Sequence, residues 1–271
     1  MGMNVPQKIC LAFFAIFVVL LWLVLFFTGT QSGIYNYWYS FLFGLVPFFS
    51  GIAAMAYAQT WGGLKSAVGK ALFFIGLGIF CWGCGENIWS YYNFVLNVPA
   101  PYPSLADIGF APSIFFYCLG AIYLSRATGA QFALRNRNVR ALAILAPFII
   151  FGISYYILVT VARGGVLLTD EGNALKTVLD LAYPLGDFVG LTVAILVSSL
   201  SFKYLGGRYV WDVYAILLGL FVMFIGDTVF SYTTTVGTYY NADFGDLILA
   251  TGVFLLSFGV LGLHAGKGTG E

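Results

Sequence analysis

The chain has 271 residues, of which 61% are hydrophobic, 19% are aromatic and 8% are charged. Soluble domains carry about 25% charged residues. No soluble core absorbs so much apolar surface, so the composition excludes a cytosolic enzyme, a nucleic-acid-binding protein and a disordered protein. The formal net charge is +1, and the four cysteines lie within apolar segments, unlike those of a disulfide-rich secreted domain. The composition indicates an integral membrane protein.

Eight segments reach the roughly 20 apolar residues that a membrane-spanning helix needs. They are Cys10–Phe27, Tyr35–Gln59, Ala71–Phe94, Ser104–Leu124, Ala141–Val161, Val178–Phe202, Val210–Tyr232 and Phe244–His264. The connections between them are short. We therefore expect a single all-α transmembrane domain over residues 1–271, built as a polytopic bundle of about eight helices.

The distribution of Lys and Arg predicts the orientation of this bundle. With the N-terminus inside, ten of the twelve basic residues fall on the cytoplasmic side, and Arg163 and Lys176 fall outside. Both termini are then cytoplasmic, in a plasma membrane of prokaryotic type. The basic loop Arg126–Arg140 predicts contact with lipid headgroups, with docking of a cytoplasmic signalling partner as the alternative. The sequence indicates no oligomeric state.

The chain also resembles itself. Gly85–Tyr91 in the third span matches Gly226–Tyr232 in the seventh, and each span is followed by a helix that opens on an aspartate, Asp107 or Asp246. This pattern predicts a duplicated four-helix unit, in which both copies have the same orientation because each crosses the membrane four times. The two copies are residues 1–125 and 141–265.

In this topology the acidic residues fall almost entirely on the outer half of the bundle. These are Glu86, Asp107, Asp170, Glu171, Asp180, Asp187, Asp227, Asp243 and Asp246. Only Asp212 and Glu271 fall on the inner half. The positive-inside rule concerns Lys and Arg and places little constraint on acids, so this one-sided distribution points to a site.

Two kinds of acidic residue are present in that outer half. Asp107, Asp187 and Asp246 open helices, where a carboxylate caps free N–H groups and is favoured by the helix dipole. Glu86 and Asp227 lie well inside spans, and acidic residues within a membrane are candidates for function by default. Arg163 is the cationic partner that the sequence offers to Glu86 or Asp227. We predict that these five carboxylates bind a ligand or cation.

Aromatic residues accompany the carboxylates. Those on the same outer side are Tyr35, Tyr37, Trp38, Trp89, Tyr91, Tyr92, Tyr102, Tyr183, Tyr232, Tyr239 and Tyr240. Of these, Trp89, Tyr91, Tyr102, Tyr183 and Tyr232 are the predicted pocket residues. One interpretation is an interfacial belt, in which aromatic rings sit at the level of the lipid headgroups. The other is an outward-opening pocket with aromatic walls, suited to an organic cation or to a metal ion with oxygen ligands.

The residues present argue against several other kinds of functional site. Cys81 and Cys84 form a C-x-x-C pattern, which suits either thiol redox chemistry or close packing. His264 is the only histidine, which excludes histidine-rich zinc sites, paired-histidine haem ligation and a Ser-His-Asp triad. No predicted span carries a lysine in its interior, so a retinal Schiff base is excluded. The sequence indicates no particular cofactor.

One pattern resembles a known family. Gly85–Trp89, followed by the Pro-Tyr-Pro-Ser-Leu-Ala-Asp string that ends at Asp107, is similar to the polytopic membrane input regions of prokaryotic histidine kinases and diguanylate cyclases. Asp187 in Tyr-Pro-Leu-Gly-Asp and Asp227 in Gly-Asp-Thr fit the later helices of that pattern. The resemblance implies a sensor module. No output domain follows the last span, so we expect the signal to pass to a separate protein.

These observations favour a non-enzymatic membrane sensor or ligand-binding protein with an outward-facing acidic pocket. A small transporter coupled to protons or cations is the first alternative, and it requires an access route from the inner side. A membrane enzyme that uses carboxylates alone is the second, although the sequence shows no nucleophile or histidine for it.

Overall fold

A computed structural model of the chain describes residues 5–129, 137–166, 174–183, 186 and 209–263. Within these ranges the chain is helical, with no strand. The helices are α1 (Val5–Phe27), α2 (Ile34–Thr60), α3 (Ala67–Phe94), α4 (Asp107–Ala127), α5 (Arg137–Tyr155), α6 (174–183), α7 (Val210–Val236) and α8 (Phe244–Gly262). A short 3₁₀-helix, Gly63–Lys65, connects α2 to α3, and a π-helical segment, Tyr156–Val161, continues α5.

Seven helical segments among the described residues are long and apolar enough to cross a bilayer. They are Ile9–Phe27, Ile34–Thr60, Ala67–Phe94, Asp107–Ala127, Ile144–Val161, Val210–Val236 and Phe244–Gly262. They confirm seven of the eight predicted spans. The remaining one, Val178–Phe202, lies mostly outside the described residues. The chain is thus a multi-pass membrane protein that associates with the lipid bilayer through these helices.

Several helix boundaries differ from the predicted ones, and two of these differences have visible local causes. The third span begins at Ala67 rather than Ala71, because the Ser66 side chain caps the helix by accepting a hydrogen bond from the backbone N–H of Gly69 at 2.9 Å. The seventh span continues past Tyr232 through three threonines to Val236. Gly237, with φ of 74°, ends it in the left-handed conformation that favours glycine. A prediction from hydropathy alone does not detect Ser66 or Gly237 as capping residues.

The helix pairs α3–α4 and α7–α8 pack in the same register. A Cβ atom added at Gly120 of α4 would lie 2.8 Å from the backbone nitrogen of Ile75 in α3. One added at Gly259 of α8 would lie 2.9 Å from the backbone nitrogen of Ile216 in α7. The sequence repeat relates Gly120 to Gly259 and Ile75 to Ile216. Corresponding glycines therefore allow the same close approach in both hairpins.

One end of the bundle, called here the pocket end, carries the loops at residues 28–33, 95–106 and 237–243. The last of these loops is held by three helices. Trp22 of α1 donates to the Asp243 carbonyl at 3.0 Å. Asn36 of α2 donates to the Asn241 carbonyl at 2.8 Å, and the indole N–H of Trp89 in α3 donates to the Asn241 side-chain oxygen at 2.9 Å. These bonds fix the start of α8 against the rest of the bundle.

The glycine contacts generate a prediction about stability. A Cβ atom at Gly109 in α4 would lie 2.4 Å from the backbone nitrogen of Gly85 and 2.6 Å from the Cys81 carbonyl oxygen in α3. The Gly109→Ala substitution must therefore separate the two helices, and we expect it to lower the free energy of unfolding by about 1–3 kcal/mol. Circular dichroism during unfolding in detergent measures this change.

Gly152→Ala is the matched control, because no atom lies within 4 Å of the added Cβ atom at this position in α5. Alanine also has the higher helix propensity, so we expect this variant to be as stable as the wild type or more stable. Equal stability of the Gly109→Ala and Gly152→Ala variants would contradict the tight α3–α4 contact.

Candidate functional site: an acidic cavity with aromatic walls

A cavity opens at the pocket end between α2, α3, α4, α6, α7 and α8. Its lining side chains surround about 550 Å³ of space, including the mouth. Four of the five carboxylates predicted as a site line this cavity together: Glu86, Asp107, Asp227 and Asp246. The fifth, Asp187, lies outside the described residues. Side chains that are far apart in sequence thus converge on one space.

The four carboxylates enter the cavity in two ways. Asp107 is the first residue of α4, and Asp246 lies in the first turn of α8. Glu86 lies eight residues before the end of α3 and Asp227 nine residues before the end of α7. At 1.5 Å per residue, these two acids are roughly 12–14 Å below the ends of their helices. The cavity therefore has two deep acids and two acids at helix starts.

Asp107 has a structural partner on each side of its carboxylate. The backbone N–H of Ser104 donates to one oxygen at 2.7 Å, and the Tyr183 hydroxyl donates to the other. Asp107 lies in the first turn of α4 as predicted, but the predicted capping role is wrong: no described side chain caps this helix, and the Asp107 carboxylate instead binds the turn that precedes it. Asp107 and Tyr183 also line the cavity, so the same aspartate begins the helix and shapes the site.

Asp246 repeats this arrangement in the second hairpin. The backbone N–H of Ala242 donates to one oxygen at 2.7 Å, and the Tyr239 hydroxyl lies 3.3 Å from the other. Asp243 caps the same helix by accepting the backbone N–H of Asp246 at 3.0 Å. Each helix-start aspartate of the cavity thus receives one backbone N–H and one tyrosine hydroxyl.

Glu86 differs from both aspartates because it has no such partners. Its residue exposure is 6%, and its side chain packs against Gly44 of α2, where a Cβ atom would lie 2.4 Å from the Glu86 Cγ. Among the residues that the structure describes, no hydrogen-bond donor reaches the Glu86 carboxylate, and Asp246 is near enough to repel it. Gly44 makes the room that directs this carboxylate into the cavity.

The predicted pairing of Arg163 with Glu86 or Asp227 is wrong. Arg163 pairs with Asp180, which is fully buried. Lys176 lies one helical turn before Asp180, with its ammonium 3.6 Å from the same carboxylate oxygen. A buried carboxylate strongly requires a charged partner, and Asp180 therefore holds both basic residues predicted for this side. No basic residue in the described part of the chain lines the cavity.

Three of the five predicted aromatic residues line the cavity: Trp89, Tyr102 and Tyr183. Tyr91 and Tyr232 do not. Tyr91 is 51% exposed. It follows Trp89 by two residues, a rotation of about 200° on an α-helix, so it faces away from the cavity. Tyr232 likewise follows Phe230 by two residues in α7, so it also faces away from the cavity.

Phe230 and Tyr239 are wall residues that were missing from the predicted site. Phe230 packs edge-on against Trp89 with ring centroids 6.1 Å apart, and against Tyr239 with centroids 5.0 Å apart. The sequence did carry a signal for Phe230, since it occupies the position of Trp89 in the second copy of the repeat. Tyr239 belongs to the aromatic residues predicted for the outer side, but it comes from the loop after α7, where the repeat gives no corresponding residue.

The side chains around the cavity do not form a typical metal-binding site. In the described ranges, no group of three or more His, Cys, Asp or Glu side chains is arranged to hold a metal ion. Cys81 and Cys84 are free thiols that do not line the cavity. The cavity instead combines separated carboxylates with aromatic faces, a combination that attracts organic cations.

Comparison with protein-family models, with curated proteins and with solved structures finds no match to this chain. The resemblance to sensor input regions therefore stays a prediction.

Asp243 provides a test of the electrostatics at the pocket end. Burial raises the pKa of this carboxyl group, and the backbone N–H groups of Asp246 and Gly245 oppose the shift only in part. Protonation is therefore easier in the folded state than in the unfolded state. The free energy of unfolding falls as the pH rises from about 4, the ordinary carboxyl pKa, towards the raised folded value.

We expect the Asp243→Asn variant to lose this part of the pH dependence, since asparagine also caps a helix but does not titrate. Unfolding temperatures measured from about pH 4 to pH 8 should fall less steeply for the variant than for the wild type. Identical slopes would show that the Asp243 carboxyl group has its ordinary pKa.

Proposed function

We propose that this chain is a non-enzymatic membrane sensor whose cavity binds an organic cation. The observation that carries the proposal is the buried Glu86 carboxylate, which lines the cavity with no hydrogen-bond donor among the described residues. An unpaired charge at membrane depth costs about 3 kcal/mol. A bound cation supplies the missing partner.

The cavity walls favour an organic cation over a bare metal ion. Trp89, Phe230 and Tyr239 form a continuous aromatic surface beside the carboxylates. A cation over an aromatic face gains about 0.5–2 kcal/mol, depending on how well it is desolvated. An alkylammonium group uses both surfaces, because its charge pairs with a carboxylate and its carbon atoms contact the rings.

Access from outside the cell follows from the distribution of basic residues. The end of the bundle opposite the cavity carries Lys8, Lys65, Lys70, Arg126, Arg137 and Arg140 in the described ranges, and the pocket end carries Arg163 and Lys176. The positive-inside rule then assigns the pocket end to the outer face of a plasma membrane and both termini to the cytoplasm.

The helix α4 offers a route from the cavity to the cytoplasm. It begins at Asp107 in the cavity wall and ends beside Arg126. Arg126 opens the basic loop Arg126–Arg140, for which docking of a signalling partner is the alternative to contact with lipid headgroups; residues 130–136 of this loop lie outside the described ranges. A ligand that binds at Asp107 therefore acts directly on a helix whose far end adjoins that loop.

Thermal unfolding in detergent tests the binding site. The panel compares choline and simple alkylamines with sodium, potassium and calcium ions. We expect the organic cations to raise the unfolding temperature of the wild type, since a ligand that binds only the folded state stabilises it. The Glu86→Gln/Asp227→Asn double variant should lose this response because it lacks both deep charges.

Asp243→Asn is the matched control, because it removes a nearby buried carboxylate that does not line the cavity. It should respond to organic cations as the wild type does. If no organic cation stabilises the wild type, or if the double variant responds equally well, the proposed site is wrong.

A second measurement separates sensing from transport. Proteoliposomes are loaded with the cation that stabilises the protein best, and exchange of its radiolabelled form is followed. A sensor binds the cation without moving it, so we expect no counterflow. Counterflow that Glu86→Gln abolishes would instead identify a transporter.

A further inference from the structure

The end of the bundle opposite the cavity carries two positive charges around one aromatic ring. Lys70 lies in the first turn of α3 and Arg126 in the last turn of α4. The Lys70 ammonium nitrogen lies 5.1 Å from the centre of the Tyr123 ring, and the central carbon of the Arg126 guanidinium lies 5.4 Å from it. A cation within about 6 Å of a ring centre is attracted by the ring. Tyr123 therefore draws both basic side chains to one place between the two helices.

Neither cation has an acidic partner in the described part of the chain. The ion pairs there involve Asp180, which belongs to the pocket end. Asp212 is the described acid at the same end as the two cations, and it packs against Gly262 of α8. Two like charges around one ring repel each other. An anion that binds both of them offsets this repulsion.

Three nearly parallel rings extend from these cations into the apolar layer. Phe74 lies one turn beyond Lys70, with its ring centre 5.6 Å from that of Tyr123 and the two planes 12° apart. The ring of Phe116 continues the stack, 6.4 Å and 14° from that of Phe74. Phe116 precedes Tyr123 by seven residues in α4, a distance of about 10 Å along the helix. We call Phe74, Phe116 and Tyr123 the aromatic strip.

The aromatic strip lies on the outside of the α3–α4 pair. All three rings are half-buried, and the neighbouring Phe115 is 60% exposed. Cys118, whose thiol donates to the Gly186 carbonyl at 3.2 Å, follows Phe116 by two residues, a rotation of about 200°. Gly186 therefore packs on the other side of α4, and the strip keeps its exposed edge towards the bilayer.

We propose that Lys70, Arg126 and the aromatic strip bind an anionic phospholipid. Its phosphate pairs with the two cations, and the upper part of an acyl chain lies along the rings. A phospholipid presents these groups in the same order, because its charge lies at the membrane surface and its chains extend into the apolar layer. Basic pockets between spanning helices bind anionic headgroups in this way. The bilayer itself supplies the ligand.

Other occupants match only part of this surface. A free phosphate ion pairs with the cations but leaves the rings uncovered. A zwitterionic lipid carries a cation in its headgroup, which the two basic side chains repel. A second copy of the chain related by two-fold symmetry brings the same cations to the interface. The inference does not depend on the proposed cation site, since it concerns the opposite end of the bundle.

Native mass spectrometry of the full chain tests the inference. Dioleoyl phosphatidylglycerol is compared with dioleoyl phosphatidylcholine, which has the same acyl chains and no net charge. We expect the wild type to bind the anionic lipid at least about fivefold more tightly, the factor that one basic residue near the membrane surface contributes. This comparison needs no variant, so it does not depend on how well a variant folds.

Variants locate the headgroup and the acyl chain. Lys70→Gln/Arg126→Gln should reduce the preference to about twofold or less. Lys65→Gln is the matched control, because it removes an exposed charge from the 3₁₀-helix at the same end, and it should keep the preference. Phe116→Ala shortens the aromatic strip, so it should weaken the binding of both lipids and leave the preference unchanged.

The inference is wrong if the wild type binds the two lipids equally well. It is also wrong if Lys65→Gln loses as much preference as the double variant, because the general charge of this surface would then explain the binding. Displacement of phosphatidylglycerol by millimolar sodium phosphate would assign the cations to a free anion. A dimer that the double variant abolishes would assign the face to a second copy.

Discussion

The fully buried Asp180 carboxylate holds both Arg163 and Lys176, and the electrostatics of the cavity depend on this cluster. These are the two basic residues predicted for the pocket end, so the ion pair removes them as partners for the cavity acids. Breaking such a pair is strongly unfavourable, about 3–5 kcal/mol when one partner is removed. Arg163 is therefore not available to neutralise Glu86. The site stays acidic because Asp180 binds the two basic residues that could otherwise pair with the cavity carboxylates.

Close helix packing brings the acids into one space. Gly44 leaves room for the Glu86 side chain, and Gly109 lets α4 approach the α3 backbone directly above Asp107. The loop at residues 237–243 sets the position of Asp246, because Asn241 is held by α2 and α3. Small residues and amide hydrogen bonds thus position charged groups that are not paired with one another.

Hydropathy predicted the spans well because bilayer thickness fixes the length of an apolar helix. Helix-start chemistry also placed Asp107 and Asp246 at their helix ends, since capping depends on local residues. The partner of Arg163 was not predictable in this way, because it depends on which helix faces the ion pair across the bundle. Tyr91 was assigned to the pocket because it falls on the outer side of the bundle with the carboxylates, although helical rotation turns it away from the cavity. Phe230 shows the reverse case, since it was missing from the predicted site although the repeat relates its position to that of Trp89.

The central claim is that ionised cavity carboxylates hold the cation. The binding of tetramethylammonium tests it most directly, because the charge of this ligand does not change with pH. We predict that its affinity rises as the pH increases from about 4 to 8, as the carboxyl groups lose their protons, and that the Glu86→Gln/Asp227→Asn variant loses most of this dependence. Tight binding of tetramethylammonium to the wild type with no pH dependence would contradict the claim, because it would assign the binding to the aromatic walls alone.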